Sequence, residues 1–279
     1  MTILMTGLCE KGADQIWKQC NDAMYAQGVT WLEEAAYAGD AEAWFFLGHC
    51  YSWGDGAVGF NEKKAYECYL RGASAGSARA VLGALRAGQY DEQMKQSARY
   101  SIEESYRQVR DAAEMGDVYA AWQMGEAVEW EDLADYMPQT ESAREQCLFW
   151  YERAADGGII PAMVKMGKCC QNGTYREKDE KEALRWANQC AASGEVWGLF
   201  QMGEHYRQEE DWEAAFQYDY AAAKQGSSRA MLYLGQMYLN GQGTERDIQA
   251  AVQALEGAAA RNEAESFEEL GNLFYQDEL

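Results

Sequence analysis

The feature that most constrains this chain is a hydrophobic residue followed by glycine, returning at long and nearly regular intervals: Leu47-Gly48, Leu82-Gly83, Met124-Gly125, Met166-Gly167, Met202-Gly203, Leu234-Gly235 and Leu270-Gly271. Successive glycines lie 35, 42, 42, 36, 32 and 36 residues apart. A period of that length marks stacked supersecondary units. A second signature runs in step with it, a small residue three positions before a glycine: Ala36/Gly39, Ala73/Gly76, Ala113/Gly116, Ala155/Gly158, Ala191/Gly194 and Ala223/Gly226, with Ala259/Asn262 as the last copy. Asn is the usual substitute for Gly at a left-handed helix C-cap, so the one deviation supports this slot as a helix end.

Between the two signatures several units show a glycine turn and then a capping residue four positions before an alanine: Asn61 to Ala65, Asp179 to Ala183 and Asp247 to Ala251. Asn and Asp accept hydrogen bonds from the free N–H groups of a first helical turn, so they mark where a second helix begins. Each unit is therefore helix A, turn, helix B and glycine stop. The small residues also allow two helix backbones to approach closely at a crossing. Tyr51, Tyr206 and Tyr238, three residues after their glycines, fill the space beside that contact.

The pattern resembles the Sel-one-like repeat family, relatives of the tetratricopeptide repeats, most clearly at Ala43-Trp-Phe-Phe-Leu-Gly-His-Cys-Tyr51, Ala230-Met-Leu-Tyr-Leu-Gly-Gln-Met-Tyr238 and Phe149-Trp-Tyr-Glu-Arg-Ala-Ala155. The resemblance implies an all-α, right-handed α-α solenoid of about seven helix-turn-helix repeats with degenerate terminal caps. Residues 1–21 match poorly and are expected to form an N-terminal capping segment, because a terminal repeat must hide its stacking face. Residues 22–279 are expected to form a single solenoid domain, closed by a lone helix A around Gly271-Asn-Leu-Phe-Tyr275. The second and third units carry excess residues near 84–100 and 126–142, and the fifth has a shortened turn at Gln208-Glu-Glu-Asp-Trp212.

Composition agrees with helices: two prolines, abundant alanine, and 48% hydrophobic residues without a long apolar run. The start of the chain, Met1-Thr-Ile-Leu-Met-Thr-Gly-Leu-Cys9, lacks the basic flank of a secretory signal, and no stretch has the length of a membrane span, so a cytoplasmic location is expected. In that compartment the eight scattered cysteines are expected to be reduced. The net charge of −22 is spread along the whole chain. Such a field disfavours nucleic acid and anionic lipid, which bind through Lys and Arg, and suits a basic partner or simple solubility.

Motifs that resemble chemistry are absorbed by the repeat. Gly54-Asp-Gly-Ala-Val-Gly59 fits a dinucleotide fingerprint, but it follows a helix rather than a strand and occupies the same turn as Asn172-Gly173 and Asn240-Gly-Gln-Gly243. Gly72-Ala-Ser-Ala-Gly76 fits a nucleophile elbow around Ser74, yet it ends a helix B in register with Ala112-Ala-Glu-Met-Gly116. Cys169-Cys170, His49 and His205 have no partners at metal-ligand spacing, and Cys50, Cys169 and His205 share a packing position with Leu85, Met237 and Leu273. Asn172-Gly-Thr174 is a glycosylation sequon with no secretory route. No catalytic, cofactor or metal residue is assigned, and a non-enzyme is expected.

A binding face remains. Residues at i, i+4 and i+7 of a helix share one side, and helix A has a side not committed to helix B. The resemblance implies that this side lines the concave surface. It carries Phe46, His49 and Trp53 in the first repeat, Tyr119, Gln123, Glu126 and Trp130 in the third, and Lys165 and Lys168 in the fourth. The fifth adds Trp197, Gln201 and Glu204, and the sixth Arg229, Tyr233 and Gln236. The rings either half-bury against the neighbouring repeat or an inserted loop, or line a groove for a protein or peptide, in which Lys165 and Lys168 form a basic island for a ligand carboxylate. The overlong turn Trp130-Glu-Asp-Leu-Ala-Asp-Tyr-Met-Pro138 is a further candidate contact. The expectation is an adaptor or scaffold of the kind the resemblance implies in bacterial assemblies. The alternatives are an acidic inhibitor or immunity protein that neutralises a basic toxin or nuclease, and, more remotely, a hydrolase.

Overall fold

A computed structural model describes residues 2–19, 22–54, 58–130 and 143–275. Among these residues every regular element is a helix. In chain order they are α1 (Thr2–Trp17), α2 (Asp22–Tyr37), α3 (Ala41–Trp53), α4 (Glu62–Ala75), α5 (Ala78–Arg86), α6 (Glu92–Ser97), α7 (Ile102–Glu114) and α8 (Val118–Glu129). The series continues with α9 (Ala143–Asp156), α10 (Ile160–Asn172), α11 (Glu180–Ala192), α12 (Val196–Gln208), α13 (Trp212–Lys224), α14 (Ser228–Asn240), α15 (Ile248–Ala259) and α16 (Ala264–Tyr275). The fold is an all-α solenoid. The hydrophobic-glycine pairs fall on α3, α5, α8, α10, α12, α14 and α16, which are the A helices.

Local chemistry sets the boundaries. Asn61, Asp179 and Asp247 each have extended backbone, and their side chains accept from Lys64, Glu182 and Ala250 N–H, opening α4, α11 and α15. The stop glycines have left-handed φ, for example 102° at Gly76 and 92° at Gly226, and Asn262 adopts 62° in the same slot. The excess near residues 84–100 contains α6, whose Met94 is fully buried. The short turn of the fifth unit is made by Glu210 at φ 59° and Asp211, which caps α13. The excess at 126–142 lies largely outside the described residues.

Five of the helix-A glycines, Gly48, Gly83, Gly125, Gly203 and Gly235, face a helix B at contact distance. A Cβ on Gly48 would stand 2.6 Å from the Tyr69 ring, and one on Gly83 would stand 2.7 Å from the same ring. Tyr69 of α4 is therefore wedged between the A helices on either side of it. Gly125 meets Tyr151, Gly203 meets Asp219 and Gly235 meets Leu255 in the same way.

The chain divides into two compact units, residues 1–169 with 173–177, and residues 170–172 with 178–279. In the first unit, α1 packs along α2 as a hairpin, with Gly12 and Gly28 at the crossing, and α1 also touches α3. In the second unit α11 to α16 pack each against the next. The core there is formed by small and medium side chains including Leu199, Met202, Ala222 and Leu234, with Leu255 and Leu273 closing the far end.

Candidate functional site

The A-helix face of the first unit is built from α3, α5 and α8, and much of it is already occupied. Trp17 of α1, 2% exposed, lies with its ring 5.2 Å from Phe46, 5.5 Å from His49, 6.2 Å from Tyr119 and 5.8 Å from Trp122. Tyr119 donates its hydroxyl to Asp14 at 2.6 Å, and Lys18 stands over the Tyr119 ring. Phe46, His49, Tyr119 and Gln123 are all buried. The sequence expectation that these four residues line an open groove is corrected by this contact: α1 folds back across the face and makes it core.

What stays open lies beside that plug. Trp53 and Trp130 are 48% and 59% exposed, and the Arg86 guanidinium stands 5.1 Å from the first ring and 4.5 Å from the second. Behind Trp53 a cavity is lined by Phe45, His49, Leu82, Arg86, Gln123 and Glu126. Burial first, and then the charge of Arg86, lower the His49 pKa to about 3, so the ring is neutral. Glu126 Oε2 stands 4.0 Å from His49 Nε2.

Lys165 and Lys168 do not form the expected basic island. Lys165 pairs with Glu129 of α8, whose second carboxylate oxygen accepts from the Tyr151 hydroxyl at 2.8 Å, while Lys168 is exposed. The Lys165 charge is thus spent within the fold, because the preceding A helix presents a carboxylate one repeat away.

In the second unit Trp197, Gln201, Tyr233 and Gln236 are half-buried. Gln201 accepts from Gln171 Nε2 at 2.6 Å, and Gln236 donates to Glu269 at 3.1 Å. Tyr233 packs on Phe200 at 6.1 Å and carries the Arg207 guanidinium 3.8 Å from its ring centre. Arg207 in turn pairs with Asp219, which is fully buried against Gly203. Burial raises the Asp219 pKa to about 6 against the opposing pull of Arg207.

Sequence reasoning missed three side chains that shape these faces. Trp17 fell in the segment set aside as a cap, Arg86 lies four residues after Leu82, and Asp219 stands in a slot filled elsewhere by Tyr or Leu. Only Asp219 carried a signal, a carboxylate eight residues after the cap Asp211 where Tyr69 and Leu255 follow Asn61 and Asp247.

The residues that resembled chemistry are otherwise engaged. Ser74 donates to the Leu70 carbonyl at 2.8 Å within α4, and Gly76 ends that helix. Gly54 ends α3 at φ 70°, while residues 55–57 of the glycine-rich turn lie outside the described residues. Cys68 and Cys147 are buried, and burial pushes both thiols up to about 12, far from the thiolate form. Among the described residues no group of three or more His, Cys, Asp and Glu side chains is placed to hold a metal ion, and no helix is long and apolar enough to cross a membrane.

The Sel1 repeat model matches residues 23–40, 41–77, 118–159, 160–195 and 228–262, more than half of the chain. A protein of Neisseria meningitidis serogroup B of unassigned function is 28% identical over 174 residues, 61% of this chain and 34% of that relative. The chain thus spans about a third of the length of this curated relative. Among solved structures, a protective antigen of uropathogenic Escherichia coli with an SLR fold is 20% identical, with a TM-score of 0.51 over 98% of this chain and 65% of that one. A Sel1 repeat protein from Oxalobacter formigenes is 22% identical, with a TM-score of 0.47 over 96% of this chain and 86% of that one. With its repeats matched in sequence and its A and B helices placed as those repeats require, the chain belongs to the Sel1 repeat family.

Proposed function

We propose that this protein is a non-enzymatic adaptor that binds a protein or peptide partner on the part of its A-helix face left open by α1. The observation that carries this is the exposed Trp53 and Trp130 pair clasping Arg86, on a wall otherwise buried. Large rigid rings and an Arg at a surface are the residue types that concentrate binding energy in interfaces. Lys168 is an exposed secondary contact in the first unit, and Trp197, Gln201, Tyr233 and Gln236 are proposed as a separate candidate contact surface of the second unit by itself. The buried Phe46, His49, Tyr119 and Gln123 support the wall from within.

The test is an affinity pull-down from native extract with the intact chain and a Trp53→Ala/Trp130→Ala variant shown to be folded by circular dichroism. Loss of a partner with the double variant supports the A-helix face, and retention places binding elsewhere. A second proposal, an acidic inhibitor of a basic protein, draws on the net charge of −22. Electrostatic association of that kind slows steeply with salt, so a partner retained by the tryptophan variant but released at 0.5 M salt, on the order of a 4 Å Debye length, favours it.

A further inference from the structure

The last helix keeps the A-helix glycine without the side chain that faces the others. At the five glycines described above, a B-helix side chain (Tyr69, Tyr151, Asp219 or Leu255) stands 2.5–2.7 Å from where a Cβ would be. A Cβ on Gly271 of α16 would meet nothing within 4 Å among the described residues.

The preceding module shows what that slot is shaped for. On α14, Leu255 of α15 is seated over Gly235, and Met231, one turn before the glycine, packs against the cluster that Leu255 and Ala258 form. On α16, Phe267 stands one turn before Gly271 and Tyr275 one turn after it, so the three share a side of the helix. Phe267 is 57% exposed and Tyr275 87%, while Ser266 and Leu273 on the inner side are buried. A terminal unit that only capped the stack would turn a polar side to water. This one turns two large rings and a glycine outward, at the register where a helix B stacks.

Charge selects the occupant. Residues 264–279 carry five acidic side chains and no Lys or Arg, and Glu265 and Glu268 are exposed on the helix. Pairing with α16 of a second copy would set like charges against one another across a self-complementary contact. A helix with Lys or Arg beside its apolar stripe is attracted instead. Within the chain α4 has that make-up, with Tyr69 at the glycine contact and Lys63, Lys64 and Arg71 along the same helix.

We infer that the side of α16 bearing Phe267, Gly271 and Tyr275 is a docking surface for a basic amphipathic helix of a partner protein, which seats a Tyr or Leu over Gly271. This is the contact that α4 and α15 make within the chain. The surface belongs to the second unit by itself and does not depend on the reading of Trp53 and Trp130.

The probe is a fluorescein-labelled peptide of residues 58–77, the α4 segment, stapled across positions 67 and 74. Both positions are exposed in the protein, and the staple keeps helix formation from limiting binding. Gly271→Leu fills the slot where there is open space, and Leu favours a helix over Gly, so this variant keeps its fold, as circular dichroism should show. Fluorescence anisotropy should give saturable binding to the intact chain that weakens at high salt. Gly271→Leu in the protein, or Tyr69→Ser in the peptide, should each weaken it about tenfold or more. No saturable binding, or binding indifferent to Gly271→Leu, overturns the assignment. So does equal binding of the Lys63→Glu/Lys64→Glu/Arg71→Glu peptide, because the acidic helix then selects nothing. If sedimentation shows a dimer of the intact chain that Gly271→Leu dissociates, the occupant is a second copy and the basic helix is overturned.

Discussion

Replacing Arg207 with Met and Asp219 with Leu together should make the protein more stable at neutral pH and flatten its pH dependence. Asp219 occupies the slot opposite Gly203 that Leu255 occupies opposite Gly235. It is fully buried, its Oδ1 has no hydrogen-bond partner, and burial lifts its pKa from 3.8 to about 6 despite Arg207. Because the folded pKa lies above the unfolded one, the folded state holds the proton more tightly. The stability contribution of this group is therefore complete below pH 3.8 and lost as pH rises through about 6. That interval corresponds to about 3 kcal/mol of lost stability at neutral pH. Exchanging a buried ion pair for apolar side chains of similar volume is often neutral or stabilising by ~1–4 kcal/mol. The double variant should therefore gain about 1–3 kcal/mol at pH 7.5.

Asp219→Leu alone should instead lose ~3–5 kcal/mol at pH 7.5, because it strands a guanidinium that is 13% exposed. Urea unfolding followed by circular dichroism, with amide exchange on α12 and α13 as the local readout, gives both comparisons. The gap between double variant and wild type should close as the buffer is taken from pH 7.5 to 4, where wild-type Asp219 is largely protonated. A double variant less stable than wild type at pH 7.5, or a gap that does not narrow with acid, refutes the reasoning.

Trp17→Ala should cost ~3–5 kcal/mol and expose α1 to proteolysis, since the ring fills the space between α3 and α8; limited trypsin digestion and urea midpoints check this. Gly83→Ala places a methyl 2.7 Å from the Tyr69 ring and 3.2 Å from Phe45, and should lose ~1–3 kcal/mol, seen as a lower midpoint in a thermal melt. Asn262→Ala puts a Cβ residue without a local hydrogen bond at φ 62° and should cost ~1 kcal/mol, whereas Asn262→Gly should keep wild-type stability or improve on it.

The helices and their ends could be read from single residues because their causes are local. Asn61 caps the helix that begins beside it, and Asn262 takes the left-handed slot that the earlier glycines take. The identity of the small residues opposite Tyr69 followed from the period alone, since each repeat presents the same crossing to the next. The binding face had a different fate. Whether a side of helix A is open depends on what returns to it, and Tyr119 meets Asp14 across 105 residues of chain. A repeat-by-repeat pattern holds no record of that return, so Phe46 and Tyr119 had the spacing of a groove and the burial of a core. Lys165 was misplaced for a related reason, its counter-charge Glu129 lying on the previous A helix.

The glutamines that tie one A helix to another bear on how such a chain can be rearranged. Gln171 donates to the Gln201 side chain and Gln236 to the Glu269 side chain, whereas Gln123 donates to the Arg79 main-chain carbonyl, which any residue there would offer. Stacking against glycine and tyrosine is generic and would tolerate shuffled modules, but the two side-chain pairs are addressed to particular neighbours. Transplanting the sixth module beside any but the seventh would leave Gln236 facing a residue other than Glu269. Each such pair works as an order label, so that an array with duplicated or permuted modules would still stack while losing the tie at those two junctions.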